Sequence, residues 1–250
     1  MDLHKIMYAS ALFLASNIVM AGPVTSTVNF SNGAQGWDGL KNVPGETWVD
    51  GSMGRDAPAL RSSLDFFGVS FLNRTNQHYL GDYRKLDSVS IGLDVVANSI
   101  TTGGGQLPRS LVVELRDYDN TPAGKAYTSV WYDLGVIDAA NGWQHLSVTI
   151  ADTTASALPA GWGGYGASDD SGLPPGRTFA DVLSSIDEVA FTTIVPGMGF
   201  LYGLYDISVD NISFVAAAEV PEPSSYALMA GGLGLLGCMA RRRSRRTPGT

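Results

Sequence analysis

The chain has 250 residues, of which 44% are hydrophobic, only 16% are charged and 30 are glycine. A mean hydropathy of +0.06 excludes a disordered chain, and so small a charged fraction excludes a coiled coil or a charge-rich helical enzyme. The formal net charge is −8, yet five of the 16 Lys and Arg residues form one run near the C-terminus, so the segment from Gly22 to Val220 holds 22 acids against 10 bases, a balance of −12. That acidity repels phosphate backbones and argues against nucleic acid as a partner.

At the N-terminus, Met1 to Lys5 gives a short polar start with one cation, followed by the largely apolar run Ile6 to Met20. Val19-Met20-Ala21 presents small residues where a signal peptidase reads them, which predicts a signal helix over 1–21 cut between Ala21 and Gly22.

From there the chain reads as strands. Val24 to Phe30 opens the body. Val89, Ile91, Leu93 and Val95 alternate with Ser88, Ser90, Gly92 and Asp94. Leu111, Val113 and Leu115, then Leu146, Val148 and Ile150, alternate in the same way, the signature of strands with one buried face. Val189 to Val195 and Gly203 to Val215 complete the set. Turn-rich spacers such as Thr102-Gly103-Gly104-Gly105 separate them. Phe179, Val182, Leu183 and Ile186 follow helical spacing, with Thr178 and Asp181 as a capping pair. The fold predicted is all-β, a jelly-roll-like antiparallel sandwich over 22–215 with one short helix. Trp37, Trp131 and Trp143 fall at or within strands and are expected in the core.

Residues 216–223 form a small-residue and proline linker. Val220-Pro221-Glu222-Pro223 precedes an apolar, glycine-rich stretch, Tyr226 to Ala240, and then Arg241, Arg242, Arg243, Arg245 and Arg246. Fifteen helical residues span about 22 Å, short of the ~30 Å hydrocarbon core unless the arginines snorkel. A transmembrane helix is nonetheless expected over 224–246, with the arginines cytoplasmic and the body outside. Pro-Glu-Pro, a short apolar segment and a terminal arginine cluster together resemble the bacterial PEP-CTERM sorting signal. The resemblance implies export, membrane tethering and processing by an exosortase-type enzyme, and associates the chain with exopolysaccharide and biofilm matrix. Cys238, the sole cysteine, lies in this segment, so the body has no thiol chemistry and no disulfide framework.

A second resemblance covers the body. Phe30-Ser31-Asn32-Gly33-Ala34-Gln35-Gly36-Trp37, Leu80-Gly81-Asp82-Tyr83, Arg177 to Leu183 and Asp210-Asn211-Ile212 are similar to segments of laminin domain IV (laminin B) and related galactose-binding-like sandwiches. It implies adhesive or structural duty and brings no catalytic residues.

Motifs for chemistry are sparse. Gly161 to Gly166 satisfies G-x-G-x-x-G, but the acids and prolines that follow it cannot open a phosphate-binding helix. No G-x-S-x-G elbow occurs, and outside the leader only His78 and His145 remain, too few for a zinc pair. Asp117-Tyr118-Asp119-Asn120 begins like an EF-hand, but Pro122 and Thr128 stand where that loop needs Gly and Glu. No cofactor is expected, apart from one structural calcium suggested by analogy with galactose-binding-like sandwiches and assigned to Asp206, Asp210 and Asn211. For saccharide contact, Trp162 and Tyr165 in a glycine-rich loop come first, then Trp48 and Tyr79. The leading reading is a non-catalytic structural or adhesive protein of the envelope or exopolysaccharide matrix. The alternatives are a carbohydrate-binding module and, behind it, a polysaccharide-active enzyme with two facing carboxylates.

Overall fold

A computed structural model describes residues 24–56, 58–119, 121–169, 172–199 and 201–218, together with Leu233. The chain divides into two units, Pro23–Glu219 and a second made of its two ends. Ala21, Gly22, the Pro-Glu-Pro motif, the arginine run and, but for Leu233, the expected terminal helices lie outside the described residues. Among those described, no helix is long and apolar enough to cross a membrane.

Among the described residues of the first unit are thirteen strands, one α-helix and a short 3-10 turn at Tyr83–Lys85. They begin with β1 (Val24–Val28), β2 (Trp37–Gly39), β3 (Gly45–Asp50), β4 (Ala59–Phe66) and β5 (Ser70–Asn73). Next come β6 (Leu86–Thr102), β7 (Gly105–Gln106), β8 (Arg109–Asp117), β9 (Thr128–Ile137) and β10 (Gln144–Ile150). The last are β11 (Trp162–Tyr165), α1 (Phe179–Leu183), β12 (Glu188–Thr192) and β13 (Gly203–Ala218). One antiparallel sheet has the order β10-β6-β13-β4-β3, with β1 added on β13 and β7 on β6. The other has the order β11-β9-β8-β12-β5-β2. This is the two-sheet antiparallel sandwich with one helix that the alternation predicts.

The core lies between the sheets. Val89, Ile91, Leu93 and Val95 of β6 face Leu111, Val113 and Leu115 of β8 and Val189 and Phe191 of β12, all within one buried cluster. Trp37 packs edge-on to Tyr79 at 5.3 Å and stacks on Phe191 at 5.6 Å. Tyr79 is fully buried, and its hydroxyl donates to the Ile212 carbonyl at 2.9 Å; burial pushes its pKa up to about 12. α1 carries the capping box read in the sequence: Thr178 accepts from the Asp181 amide at 3.0 Å, and Asp181 accepts from the Thr178 amide at 2.9 Å.

Two boundaries differ from the sequence reading. β13 runs past Val215 to Ala218, because Ala216 pairs with Val24 on one side and Val89 on the other. Residues 216–218, read as linker from their composition, thus belong to this strand. β11 occupies what reads as a glycine-rich loop, pairing Trp162–Tyr165 with Ser129–Tyr132 of β9.

Candidate functional site: an aromatic face on the six-stranded sheet

Because strands alternate, each core residue of β8, β9 and β12 has a neighbour that points away from the core. On β8 these are Val112, Glu114 and Arg116; across the ladder they meet Ser129, Trp131 and Asp133 of β9, and Gly163 and Tyr165 of β11 continue the row. The Trp131 indole spreads over Gly163: a methyl group there would fall 2.2 Å from indole Cε2 and 2.3 Å from Cζ2. Glycine at 163 is what lets the ring lie flat on the neighbouring strand.

Three tyrosines extend this surface. Tyr165 contacts Tyr127 at 5.2 Å between ring centres, and Tyr127 contacts Tyr118 at 5.6 Å. Each ring also meets a cation: Lys125 Nζ is 5.2 Å from Tyr165, Arg116 Cζ 4.6 Å from Tyr127, and Arg74 Cζ 5.9 Å from Tyr118. Trp131, Tyr127 and Tyr165 are all partly exposed. Burial, reinforced by Glu114, pushes the Tyr127 hydroxyl well above the usual phenol range, so the ring remains neutral in ordinary buffers.

Beneath the rings lies a buried ionic cluster. Arg116 donates to Glu114 Oε2 at 2.8 Å through Nε and to Glu188 Oε1 at 2.5 Å through Nη1. Ser129 donates to the other Glu114 oxygen at 2.6 Å, and Arg74 Nε donates to Glu188 Oε2. Both carboxylates are fully buried although they point away from the core, because Arg116 and the tyrosines cover them. Their oxygens are already committed to arginine and serine, so neither is available as a general acid or nucleophile toward a glycosidic oxygen.

The residues singled out from the sequence do not converge on one site. Tyr165 belongs to this face. Trp162 does not: it points inward, packs on Phe179 at 5.2 Å and Tyr132 at 5.5 Å, and is 9% exposed. Its rim borders a cleft of about 760 Å³ lined by Ile150, Asp152, Leu158 and Pro159. Tyr79, sealed in the core, cannot touch a polymer. Trp48 lies on the outer face of the other sheet, beneath the Arg61 guanidinium at 5.3 Å. Trp131, expected in the core, is the aromatic that the sequence reading missed; the signal was Gly163 on the edge strand, which opens space for it.

The proposed calcium trio is not assembled as a cage. Both Asp206 oxygens accept from Arg61, at 2.8 and 2.6 Å, and Asn98 adds a third donor. Asp210 accepts from the Arg55 and Asn211 amides, and its pKa is raised by burial with Asp94 opposite it on β6. Among the described residues, the three acids close enough together to share one ion are Asp117, Asp119 and Asp187. Asp117 there pairs with Arg177, while Asp119 and Asp187 accept from Ser185 and the Tyr118 amide. His145 Nδ1 donates to Asp94 Oδ1 at 2.9 Å, and His78 lies far along the chain at the exposed turn after β5.

Residues 219–246 match the PEP-CTERM protein-sorting motif. The motif marks an exported protein sorted to the cell envelope, and it covers the segment read as such in the sequence. No curated protein matches the chain. Among solved structures, similar folds include a family 11 carbohydrate-binding module from Clostridium thermocellum in complex with a β-1,3-1,4-mixed-linked tetrasaccharide. It is 14% identical with a TM-score of 0.46, over 80% of this chain and 99% of that one. The C-terminal family 22 carbohydrate-binding module of Clostridium thermocellum Xyn10B is 11% identical with a TM-score of 0.44, over 78% and 96%. A xylan-binding domain of family 22 is 12% identical with a TM-score of 0.45, over 80% and 99%.

Proposed function

We propose that the sandwich is a non-catalytic polysaccharide-binding module, exported and retained at the envelope by its sorting tail, where it acts as an adhesive component of the surface polymer layer. The observation that carries this reading is the Trp131 ring laid flat on Gly163 beside Tyr165 and Tyr127. Sugar C–H faces pack on such rings, and the ring orientation is fixed before binding, which limits the entropy lost on association. Polar groups that can meet hydroxyls flank the rings: Asp133 on β9 and Arg74 and Lys125 at the tyrosines.

The charge balance favours a neutral polymer. Arg116 and Arg74 are matched by Glu114 and Glu188, and the acidic body repels uronate-rich chains. The same pairing speaks against hydrolysis by Glu114 and Glu188, since both are bonded to arginine. Affinity electrophoresis of the full chain in detergent through gels containing neutral or uronate-rich polysaccharides tests the reading. Retardation by a neutral polymer, lost in Trp131→Ala, is expected. Equal mobility of parent and variant in every gel would overturn it.

A further inference from the structure

The outer face that carries Trp131 continues beyond β8. Register across the six-stranded sheet sets Trp131 opposite Glu114, Glu114 opposite Ala190, Ala190 opposite Leu72 and Leu72 opposite Asp38. Directly paired residues share a face of a sheet, so all five point away from the core in one row at right angles to the strands. On either side of Leu72, Phe71 and Asn73 are buried, whereas Leu72 itself is half-buried and Asp38 exposed. From β9 to β2 the row crosses four strand spacings, about 19 Å at ~4.8 Å each. Its middle is low, since Ala190 carries only a methyl group. Its apolar bulk stands towards the two ends, as Trp131 and Leu72.

At the β2 end the row opens into a cleft of about 610 Å³ lined by Asp38, Leu40, Lys41, Leu72, Arg74 and Thr75, within the roughly 300–1,000 Å³ that takes a small ligand. Its charges are matched. Lys41 donates to Asp38 Oδ1 at 2.6 Å, and the Gly39 amide donates to the same oxygen at 2.8 Å. Arg74 is held by Glu188. A ligand entering here meets an apolar patch rimmed by hydrogen-bonding groups whose charges cancel, which suits a neutral sugar. Arg74 joins the cleft to the aromatic face, because its guanidinium also lies 5.9 Å from the Tyr118 ring. β11 and β2 are the outermost strands of the sheet order, so a chain lying along the row leaves the sheet at both sides without meeting another of its strands.

We propose that one extended polysaccharide chain lies along this row, held by Trp131 at one end and by the Leu72 cleft at the other, so that the module takes an internal stretch of several sugars rather than a chain terminus or a single sugar. The inference rests on the polysaccharide reading and adds to it the class of ligand, a long neutral polymer, and a second point of contact. Both points stand on paired strands of one sheet, so their separation is set before binding and little ordering is lost on association.

Isothermal titration calorimetry of the full chain in detergent tests it, with cello-, xylo- and malto-oligosaccharides from disaccharide to hexasaccharide as probes. In the series that binds, the hexasaccharide should bind about tenfold or more tightly than the disaccharide. Leu72→Ala should remove most of that gain and leave the disaccharide, which the Trp131 end holds, at parental affinity. Trp131→Ala should weaken binding at every length. Lys41→Ala, at a side chain that is 68% exposed, should lower hexasaccharide affinity in the same selective way, and it remains informative if Leu72→Ala disturbs the sheet; near-UV circular dichroism checks folding. A length gain that survives in both cleft variants would overturn the proposal, as would a hexasaccharide bound no more tightly than a disaccharide. Retardation by polymer that depends on Trp131 would then leave the polysaccharide reading standing, whereas a parent that no polymer retards removes both. Where polymer binds and no oligosaccharide does, the cleft variants are compared in the gels, and retardation equal to the parent's counts against the proposal.

Discussion

Trp131 lies flat against Gly163, with less room between strand and ring than a methyl group needs. The pair explains two facts at once: why this edge strand carries glycine at 163, and why a large apolar ring sits on an outer face. Gly163→Ala should push the indole off the sheet. Overpacking of this kind costs roughly 2 kcal/mol, read as a lower urea midpoint. Polysaccharide affinity should fall with it, because the ring can no longer lie in the plane of the face. Gly161→Ala is the comparison, since it would press on Tyr132 on the core side instead.

The ionic cluster under the rings makes a separate prediction. Arg116 is 12% exposed and bridges two carboxylates that are fully buried. Arg116→Met leaves Glu114 and Glu188 side by side without that cation, and breaking a buried pair in this way costs roughly 3–5 kcal/mol at pH 7. Urea denaturation at pH 7 checks the size of the loss; a variant as stable as the parent would contradict this account of the cluster.

The capping box makes stability depend on pH. Hydrogen bonds from the Thr178 side chain and amide hold the Asp181 carboxyl below the usual carboxylate range. A depressed folded pKa means that this stabilisation is fully present above the unfolded pKa and is lost as pH falls through the folded one. Thr178→Ala should therefore cost about 1 kcal/mol at pH 7. The difference between parent and variant should narrow in acid, as thermal melts between pH 7 and pH 3 would show.

That box was legible in the sequence because both partners lie within one helical turn, and the alternation of Val89, Ile91, Leu93 and Val95 was legible because period two needs no distant knowledge. The aromatic face was not. Glycine-rich composition at 161–166 reads as a loop, yet Gly161, Gly163 and Gly164 make room for Tyr132, Trp131 and Leu173. Tyr79 follows polar residues that suggest exposure, and its burial is decided by Ile212, which lies 133 positions away. Glu114 and Glu188 stand at outward positions where solvation is the natural expectation. Only the fold brings Arg116 and the tyrosines over them. Pairings set by long-range register are what a single sequence conceals, whereas the sorting tail, a contiguous signal, could be read directly.

The tail also yields the prediction that ties location to chemistry. In Arg241, Arg242, Arg243, Arg245 and Arg246 the chain concentrates five of its 16 basic residues directly after an apolar stretch, and such a cluster resists translocation and stays on the cytoplasmic side. Replacing the five with glutamine leaves the sandwich unchanged and removes that barrier. Cell fractionation with an immunoblot should then show the variant released or left at the unprocessed size, while the parent stays with the envelope. Pro221→Ala with Glu222→Ala probes the other half of the motif: if the arginines alone provide retention and the motif directs processing, this second variant remains membrane-associated but uncut. A five-glutamine chain retained and processed like the parent would mean that the arginines take no part in sorting.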